Sequence, residues 1–197
     1  MLDETNSVRK DILEAARQVF SKYGYKKTTV NDIAKAAGKA KSSLYYYFES
    51  KEMIFVSIVK EELDGLVSRS MSEASRHHDP IEKLYAYIFT GRGSVGKISK
   101  EFGDILINDF FEFFPLIKEY VREHARNHVN LIKKIIDEGS RTGIFFTDDS
   151  LQSAKAFSVA FIGITEDSPL QDVLDIDIDK KTADRLFNML IAGLMKK

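Results

Sequence analysis

The chain has 197 residues, of which 44% are hydrophobic and 30% charged, and its net charge is −1. This composition is typical of a globular protein with one or two domains, and it excludes an intrinsically disordered chain. The absence of cysteine excludes disulfides and thiolate metal ligands and favours a cytoplasmic location. Uncharged segments reach ten residues, about half of the ~20 that a transmembrane helix needs. The acidic N-terminus also predicts no secretory signal.

The charges are distributed unevenly along the chain. Residues 1–51 contain ten Lys and Arg against six Asp and Glu, whereas residues 52–197 are acidic overall. A basic segment beside an acidic one indicates that the N-terminal part contacts a polyanion.

Apolar residues recur at intervals of three and four, which predicts an all-α fold. The first helix is predicted from about Val8 to Tyr23, with Asn6 or Ser7 as its N-cap and Tyr23 on its buried stripe. Gly24 is expected to end this helix in the left-handed conformation.

Two short helices are predicted next. Thr29 begins the second helix with Asp32 three residues later, a variant of the capping box. Gly38 ends it, a third helix follows from about Lys41 to Phe48, and Ser50 caps a fourth. Two short helices separated by a glycine turn are typical of a helix-turn-helix.

The third helix has two distinct faces. Leu44 and Phe48 lie one turn apart and are expected to face the core. The opposite face then presents Lys41, Ser42, Tyr45 and Tyr46, whose donors and rings suit a major groove. The alternative is that these tyrosines are packing aromatics and the lysines a solvated rim, since helix-turn-helix geometry also occurs in proteins that bind no DNA.

Several short motifs lie between Val8 and Phe55. They are Thr28–Ala34 (TTVNDIA), Ala37-Gly38, Ser43–Phe48 (SLYYYF) and Ser50-Lys51-Glu52. With these motifs the chain resembles the tetracycline-repressor (TetR/AcrR) family. The resemblance implies a homodimeric transcriptional regulator, usually a repressor, with an N-terminal helix-turn-helix domain of three helices (1–51). It also implies a C-terminal helical ligand-binding and dimerisation domain (52–197).

The resemblance also implies which residues bind DNA. Thr29 and Asn31 match DNA contacts at the start of the second helix. The base-reading face matches Lys41, Ser42, Ser43, Tyr45 and Tyr46, and the phosphate contacts match Tyr47 and Lys51. Two positions differ from the family. Lys39 stands where the family usually has an apolar residue, and we expect it to contact DNA electrostatically. Ala40 stands where the family often has a capping serine.

Beyond residue 52, prolines are expected to open helices at Pro80, Pro115 and Pro169, with a long helix from Pro115 to about Glu138. Five of the fourteen phenylalanines fall between Phe102 and Phe114, just before this predicted helix. The candidate effector-binding residues are Phe110, Phe114, Val121, His124 and His128. For the phenylalanines the alternative is core packing. For the two histidines, the alternatives are hydrogen-bonded core residues or a shared metal.

Residues 91–96 form a GxGxxG pattern, but a dinucleotide site needs that motif after a strand, and the preceding pattern is helical. An interhelical loop is therefore the expected structure. No nucleophile elbow, metalloprotease helix or Walker loop is present, and Asp148-Asp149 is interpreted as a helix cap. The sequence predicts no enzyme, no cofactor and no metal site.

Together, these observations predict a ligand-responsive transcriptional regulator that leaves a palindromic double-stranded DNA operator when it binds a small apolar or aromatic molecule. Its homodimer is expected to form through the last two long helices. The apolar final helix and a small-residue strip at Ala156, Ala160 and Gly163 favour that arrangement. The alternative is a helical lipid- or small-molecule-binding protein that has lost DNA recognition. A third interpretation, a nucleotide-dependent enzyme, depends on the glycine pattern alone.

Overall fold

The structure, a computed structural model, describes residues 2–91, 110–162 and 178–195. Within these ranges it contains eight α-helices and no strand, which confirms the all-α prediction. The helices are α1 (Leu2–Tyr23), α2 (Val30–Ala36), α3 (Lys41–Tyr47), α4 (Lys51–Ala74), α5 (80–91), α6 (Phe110–Arg141), α7 (Ser150–Ile162) and α8 (Lys180–Leu194). None of the described helices is long and apolar enough to cross a membrane.

The chain divides into two compact units. The first extends from the N-terminus to Leu63 and takes in α6 as far as Lys118. The second holds the rest of the described chain, from Asp64 to residue 91 and from Glu119 onward. These units are defined by contacts within the folded chain. The domain boundary predicted at residue 51 concerns independent folding and stays a prediction.

The start of α1 differs from the prediction. The helix begins at Leu2, so Asn6 and Ser7 lie inside it and do not cap it. No glycine or proline interrupts residues 2–7. This local preference carries the helix one and a half turns beyond the predicted cap.

The core of the first unit forms around an aromatic cluster. It consists of three rings, those of Phe20 on α1, Tyr25 in the following loop and Phe55 on α4. Their centroids lie 5.5–5.8 Å apart. Tyr23, which was predicted to be buried, is 53% exposed, so that prediction is wrong. Gly24, with φ +78°, reverses the chain directly after Tyr23. The core position is therefore filled by Tyr25 from the following loop.

The predicted caps of the short helices are confirmed. The Thr29 hydroxyl accepts a hydrogen bond from the Asp32 N–H, and the Asp32 carboxylate accepts one from the Thr29 N–H. Gly38 ends this segment with φ +62°. The Ser50 hydroxyl accepts from the Met53 N–H at 3.3 Å at the start of α4. By contrast, Ala40 provides α3 with no side-chain cap.

The core of the second unit is formed by α4–α8. Its fully buried residues include Leu84, Ile132, Ile136, Ala154 and Phe157. Pro80 begins α5 as predicted, and the Asp79 carboxylate caps that helix by accepting from two backbone N–H groups. The Asp149 carboxylate caps α7 in the same way, as the sequence predicted.

Pro115 does not open α6. The helix already includes Phe110, so the predicted start is wrong and the proline lies inside the helix. A proline inside a helix removes one backbone hydrogen bond and costs roughly 3 kcal/mol. Burial of Ile117, Ile132 and Ile136 on one face of the same long helix offsets that cost. The region of Pro169 lies outside the described residues.

The C-terminal end of α6 is closely packed against the chain that follows it. After Gly143, which has φ +74°, the chain turns back and places the Phe145 ring over Gly139. A Cβ atom on Gly139 would lie 2.1 Å from Cδ2 of that ring. The next residue, Phe146, donates its N–H to the Leu194 carbonyl at 2.6 Å, which ties this turn to the end of α8.

Candidate nucleic-acid interface and effector site

The third helix has the two faces that the sequence predicted. Leu44 and Phe48 are buried, whereas Tyr45 is 49% and Tyr46 80% exposed. The Tyr46 and Tyr47 rings meet edge to face with centroids 5.0 Å apart, so the neighbouring ring restrains Tyr46 on the surface. α3 therefore presents a restrained aromatic surface that its own unit does not cover.

The polar candidates on α3 lie around these rings. Lys41 and Ser42 are exposed, and Ser43 is half-buried. The Lys41 ammonium lies 5.9 Å from the centre of the Tyr45 ring, within cation–π range. The structure thus brings together hydroxyl groups, rings and one cation on a single turn and a half of helix.

The candidates within and beside α2 have different environments. Asn31 is exposed and Lys39 is half-buried. The Thr29 hydroxyl serves the cap, since it also donates to the Asp32 carboxylate at 2.6 Å. This hydrogen bond is the main cause that lowers the pKa of Asp32. A DNA contact through the Thr29 hydroxyl would therefore have to share it with the cap.

Lys51 makes contacts that the sequence analysis missed. Its ammonium donates to the backbone carbonyls of Tyr25 and Thr28, both at 2.9 Å, and lies 3.9 Å from the centre of the Tyr25 ring. Two of its three N–H donors are therefore used inside the unit. Beside it, Glu52 accepts from the Tyr25 hydroxyl at 2.7 Å. The pKa of Glu52 is lowered, mainly by its hydrogen bond with Ser50.

Three of the predicted effector-binding residues lie in the described part of α6. Val121, His124 and His128 are half-buried. Phe110 and Phe114 belong to the helix, but their side chains lie outside the described residues. Beyond Gly91, the glycine pattern of residues 91–96 is also outside them.

Two tyrosines accompany the histidines, and the sequence analysis did not include them. The hydroxyl of the buried Tyr87 lies 2.9 Å from Nδ1 of His128, and the two rings stack with centroids 5.3 Å apart. Tyr120 stacks on His124 at 6.2 Å and donates its hydroxyl to Asp64. The signal for Tyr120 was available, because it lies one turn before His124. Tyr87 belongs to another helix, so only the fold brings it here.

This cluster is polar but mostly uncharged at neutral pH. Burial, together with the smaller effect of the neighbouring His124, lowers the pKa of His128 to about 4. Burial also lowers the pKa of His124, although Asp64 partly opposes that shift. Burial raises the pKa of Tyr87 and of Tyr120, so both phenols keep their protons. If the Tyr87 hydroxyl donates to Nδ1 of His128, the imidazole carries its proton on Nε2 and can donate it to a ligand.

No group of three or more His, Asp or Glu side chains in the described ranges is arranged to hold a metal ion. The two histidines on α6 are accompanied by phenols and one carboxylate. This donor set suits hydrogen bonding to an organic molecule better than metal coordination.

Residues 12–58, which include the helix-turn-helix, match the sequence profile described as bacterial regulatory proteins, tetR family. The fold agrees with a solved TetR/AcrR-family regulator from Thermobifida fusca, with a TM-score of 0.74 and 22% identity over 95% of this chain and 98% of that one. In its N-terminal region the chain is thus similar to the tetR family. Its recognised N-terminal region contains every candidate DNA contact named above.

Two curated relatives extend the comparison. A probable acrEF/envCD operon repressor from Escherichia coli (strain K12) is 30% identical over 100 residues, which are 50% of this chain and 45% of that protein. The fatty acid metabolism regulator protein of Bacillus subtilis (strain 168) is 26% identical over 132 residues, or 67% of this chain and 68% of that protein. The match to the E. coli relative thus spans less than half of its length.

Proposed function

We propose that this chain is a homodimeric transcriptional repressor that acts in the cytoplasm. It binds a palindromic operator through α2 and α3 of an N-terminal domain (1–51). A small apolar or aromatic effector binds in the C-terminal domain (52–197) and releases the repressor from the operator. The observation that carries the proposal is the exposed face of α3, where Tyr46 is 80% exposed on a helix whose opposite face is buried. Two named relatives, a repressor and a regulator, support the same function.

The proposed recognition works through the two kinds of contact that DNA offers. The Tyr45 and Tyr46 rings contact thymine methyl groups in the major groove, while the hydroxyls of Ser42 and Ser43 hydrogen-bond to base edges. Lys41 and Lys39 neutralise phosphate at the edge of the groove. Thr29, Asn31 and Tyr47 make further contacts with the DNA backbone. Sequence preference therefore depends mainly on the tyrosines and serines.

The test is a Tyr46→Ala variant measured against a DNA fragment from beside its own gene and against single-base variants of the bound site. Because a good base contact is worth about 1–3 kcal/mol, discrimination at one position per half-site should fall roughly five- to 150-fold. Met71→Ala, at an exposed site on α4, is the matched control and should change nothing. Equal losses of Tyr46→Ala on all sequences would reject base reading by this residue. Failure of the parent to bind any such fragment would favour a binding protein without DNA recognition.

The proposed effector site uses the cluster on α6. Val121 would supply an apolar wall, and His124 and His128 would supply uncharged hydrogen-bonding groups. Phe110 and Phe114 stay predictions from the sequence. A ten- to hundredfold loss of operator affinity requires roughly 1.4–2.7 kcal/mol of differential binding, which one pocket can supply. By reciprocity, the effector must bind the DNA-bound protein more weakly by the same factor.

A panel of apolar aromatic compounds can identify an effector by release of the parent protein from its DNA fragment. His124→Leu should then respond only at higher effector concentration, because it loses the polar group and keeps the apolar surface. Its affinity for DNA without effector should equal that of the parent. An unchanged response would show that His124 is a core residue.

A further inference from the structure

A second basic surface lies on the helix-turn-helix unit, apart from the exposed face of α3. It is a groove of about 530 Å³ between α1, the following loop and α2. We call it the lysine groove. Its charged and aromatic lining residues are Lys22, Tyr23, Lys27, Asp32 and Lys35. Neither Lys22 nor Lys35 is among the DNA contacts predicted from the sequence.

The charge of this groove is not compensated within the unit. Lys22, Lys27 and Lys35 are exposed, and in the described part of the chain neither Lys22 nor Lys27 has a carboxylate within ion-pair distance. The single acid in the lining, Asp32, is already held by the N–H and hydroxyl of Thr29. Lys35 is the lysine that interacts electrostatically with it. Three cations thus face one carboxylate that is occupied by a helix cap.

The exposed ring of Tyr23 contacts one of the three lysines of the groove. The Lys22 ammonium lies 5.1 Å from the centre of the Tyr23 ring. This cation–π contact places one cation at the edge of the groove.

The position of the groove indicates its partner. Thr28 and Asp32 line it, and between them in the sequence stands Thr29, a candidate DNA contact. The groove therefore continues from the start of α2, where the proposed DNA surface begins. Its lining is basic and open to solvent, which suits a polyanion that passes along it better than an enclosed small molecule.

We propose that the lysine groove binds the phosphates of double-stranded DNA outside the base pairs read by α3. The inference rests on the proposed operator binding and adds to it a second, sequence-independent surface. Phosphate contacts fix position and affinity but carry no sequence information. The groove therefore strengthens binding to long DNA and leaves base preference unchanged.

The test compares two triple variants that lose the same charge. The groove variant is Lys22→Gln, Lys27→Gln and Lys35→Gln, and the control is Lys134→Gln, Lys155→Gln and Lys181→Gln, three exposed lysines of the other unit. Binding is measured against salt on two probes, the minimal bound site and the same site with flanking duplex on both sides. Thermal unfolding of all three proteins verifies that they are folded.

With the flanking duplex, the salt slope of the groove variant should fall by up to about 2.7 per protomer, at roughly 0.9 for each lost phosphate contact. The advantage of the longer probe should disappear in this variant, and the ranking of single-base variants should be kept. The control should follow the parent on both probes.

The outcomes separate this inference from the proposed function. If the parent binds specifically and the groove variant keeps its slope and its preference for the longer probe, the groove does not contact DNA and the operator proposal stands. If the groove variant loses base discrimination instead, the groove belongs to the reading surface and the inference is wrong. If the parent binds no DNA, both are overturned.

Discussion

Lys51 illustrates how a side chain that matches a DNA contact can serve the fold. Its ammonium bonds to the carbonyls of Tyr25 and Thr28 and covers the Tyr25 ring. These contacts tie the first turn of α4 to the loop that leads into α2. Only one donor of the ammonium is left for a phosphate. We therefore expect Lys51 to act mainly by holding the start of α2 in place.

Lys51→Ala should lower the free energy of unfolding by about 1–3 kcal/mol, because it leaves two carbonyls without their charged donor. Lys41→Ala is the matched comparison, since Lys41 is exposed and its contact among the described residues is with a neighbouring ring. It should leave stability within about 0.5 kcal/mol and reduce the salt slope of DNA binding by about one. Chemical denaturation and salt titration measure the two quantities. Equal stability of the two variants would show that the Lys51 hydrogen bonds are weak in solution.

The environment of His128 predicts a pH dependence of stability. Its pKa of about 4 in the folded chain lies below the 6.5 of an unperturbed histidine, so the unfolded chain binds the proton more readily. The stability that neutral His128 contributes is complete above pH 6.5 and decreases as the pH falls towards 4. The total decrease is at most about 3 kcal/mol at 1.36 kcal/mol per unit of pKa.

A His128→Gln variant should therefore lose less stability than the parent between pH 7 and about 4, as followed by thermal unfolding. The exposed His78 provides the control, since His78→Gln should follow the parent curve. Parallel curves for parent and His128→Gln would show that His128 is protonated without penalty in the folded protein.

At the scale of the helix, the ends of α2 and α3 differ in how they are stabilised. α2 has a complete capping box from Thr29 and Asp32, whereas α3 begins at Ala40 with no side-chain hydrogen bond. The backbone of Ala40 is nevertheless extended, with φ −71° and ψ 148°, as an N-cap requires. The helix that presents the tyrosines thus lacks a cap that its backbone could accept.

Ala40→Ser should raise the free energy of unfolding by about 0.5–1 kcal/mol by supplying this cap. The control is Ala36→Ser in the exposed last turn of α2, where serine has a lower helix propensity than alanine and should destabilise slightly. Denaturant titration distinguishes the two signs. A loss of stability in Ala40→Ser would mean that the added hydroxyl does not reach the N–H groups of the first turn.

The features that the sequence predicted well are local. The caps at Thr29, Ser50 and Asp149 depend on residues within three positions of each other, so the sequence contains their whole cause. The buried side of α3 followed from helical spacing alone. Local preference also explains the early start of α1, which the apolar pattern concealed because its first turns are polar.

The features that the sequence did not predict depend on distant partners. Lys51 bonds to carbonyls more than twenty positions away, and Tyr87 meets His128 from another helix. The burial of Tyr25 in place of Tyr23 depends on how the chain turns at Gly24. Spacing identifies which residues share a face, but it does not identify which face the fold covers.

At the scale of the whole molecule, the second unit has apolar side chains that its own core does not cover. Val159 on α7 is 73% exposed and Met189 on α8 is 66% exposed. On the small-residue strip of α7, Ala156 is exposed and Ala160 half-buried, while Gly163 lies outside the described residues. Exposed apolar side chains on both helices support the proposed dimer surface.

Introducing charge at this surface tests the dimer. Val159→Asp combined with Met189→Asp should produce a monomer at micromolar concentration, because a dimer would bury unpaired carboxylates in an apolar contact. Met71→Asp, at an exposed apolar site on α4, should keep the association state of the parent. Sedimentation velocity measures both. A parent protein that is itself a stable monomer would reject the proposed dimer, and a double variant that still dimerises would place the interface elsewhere.

The packing of the Phe145 ring on Gly139 has a consequence for natural variation in this gene. A helical glycine is ordinarily a position where alanine is accepted and even gains about 0.5–1 kcal/mol. Here a methyl group would stand 2.1 Å from a ring atom, so the usual preference is inverted. In a saturation library selected for folded protein, codon 139 should be among the least tolerant in α6. Alanine alleles should persist there only together with a smaller side chain at position 145.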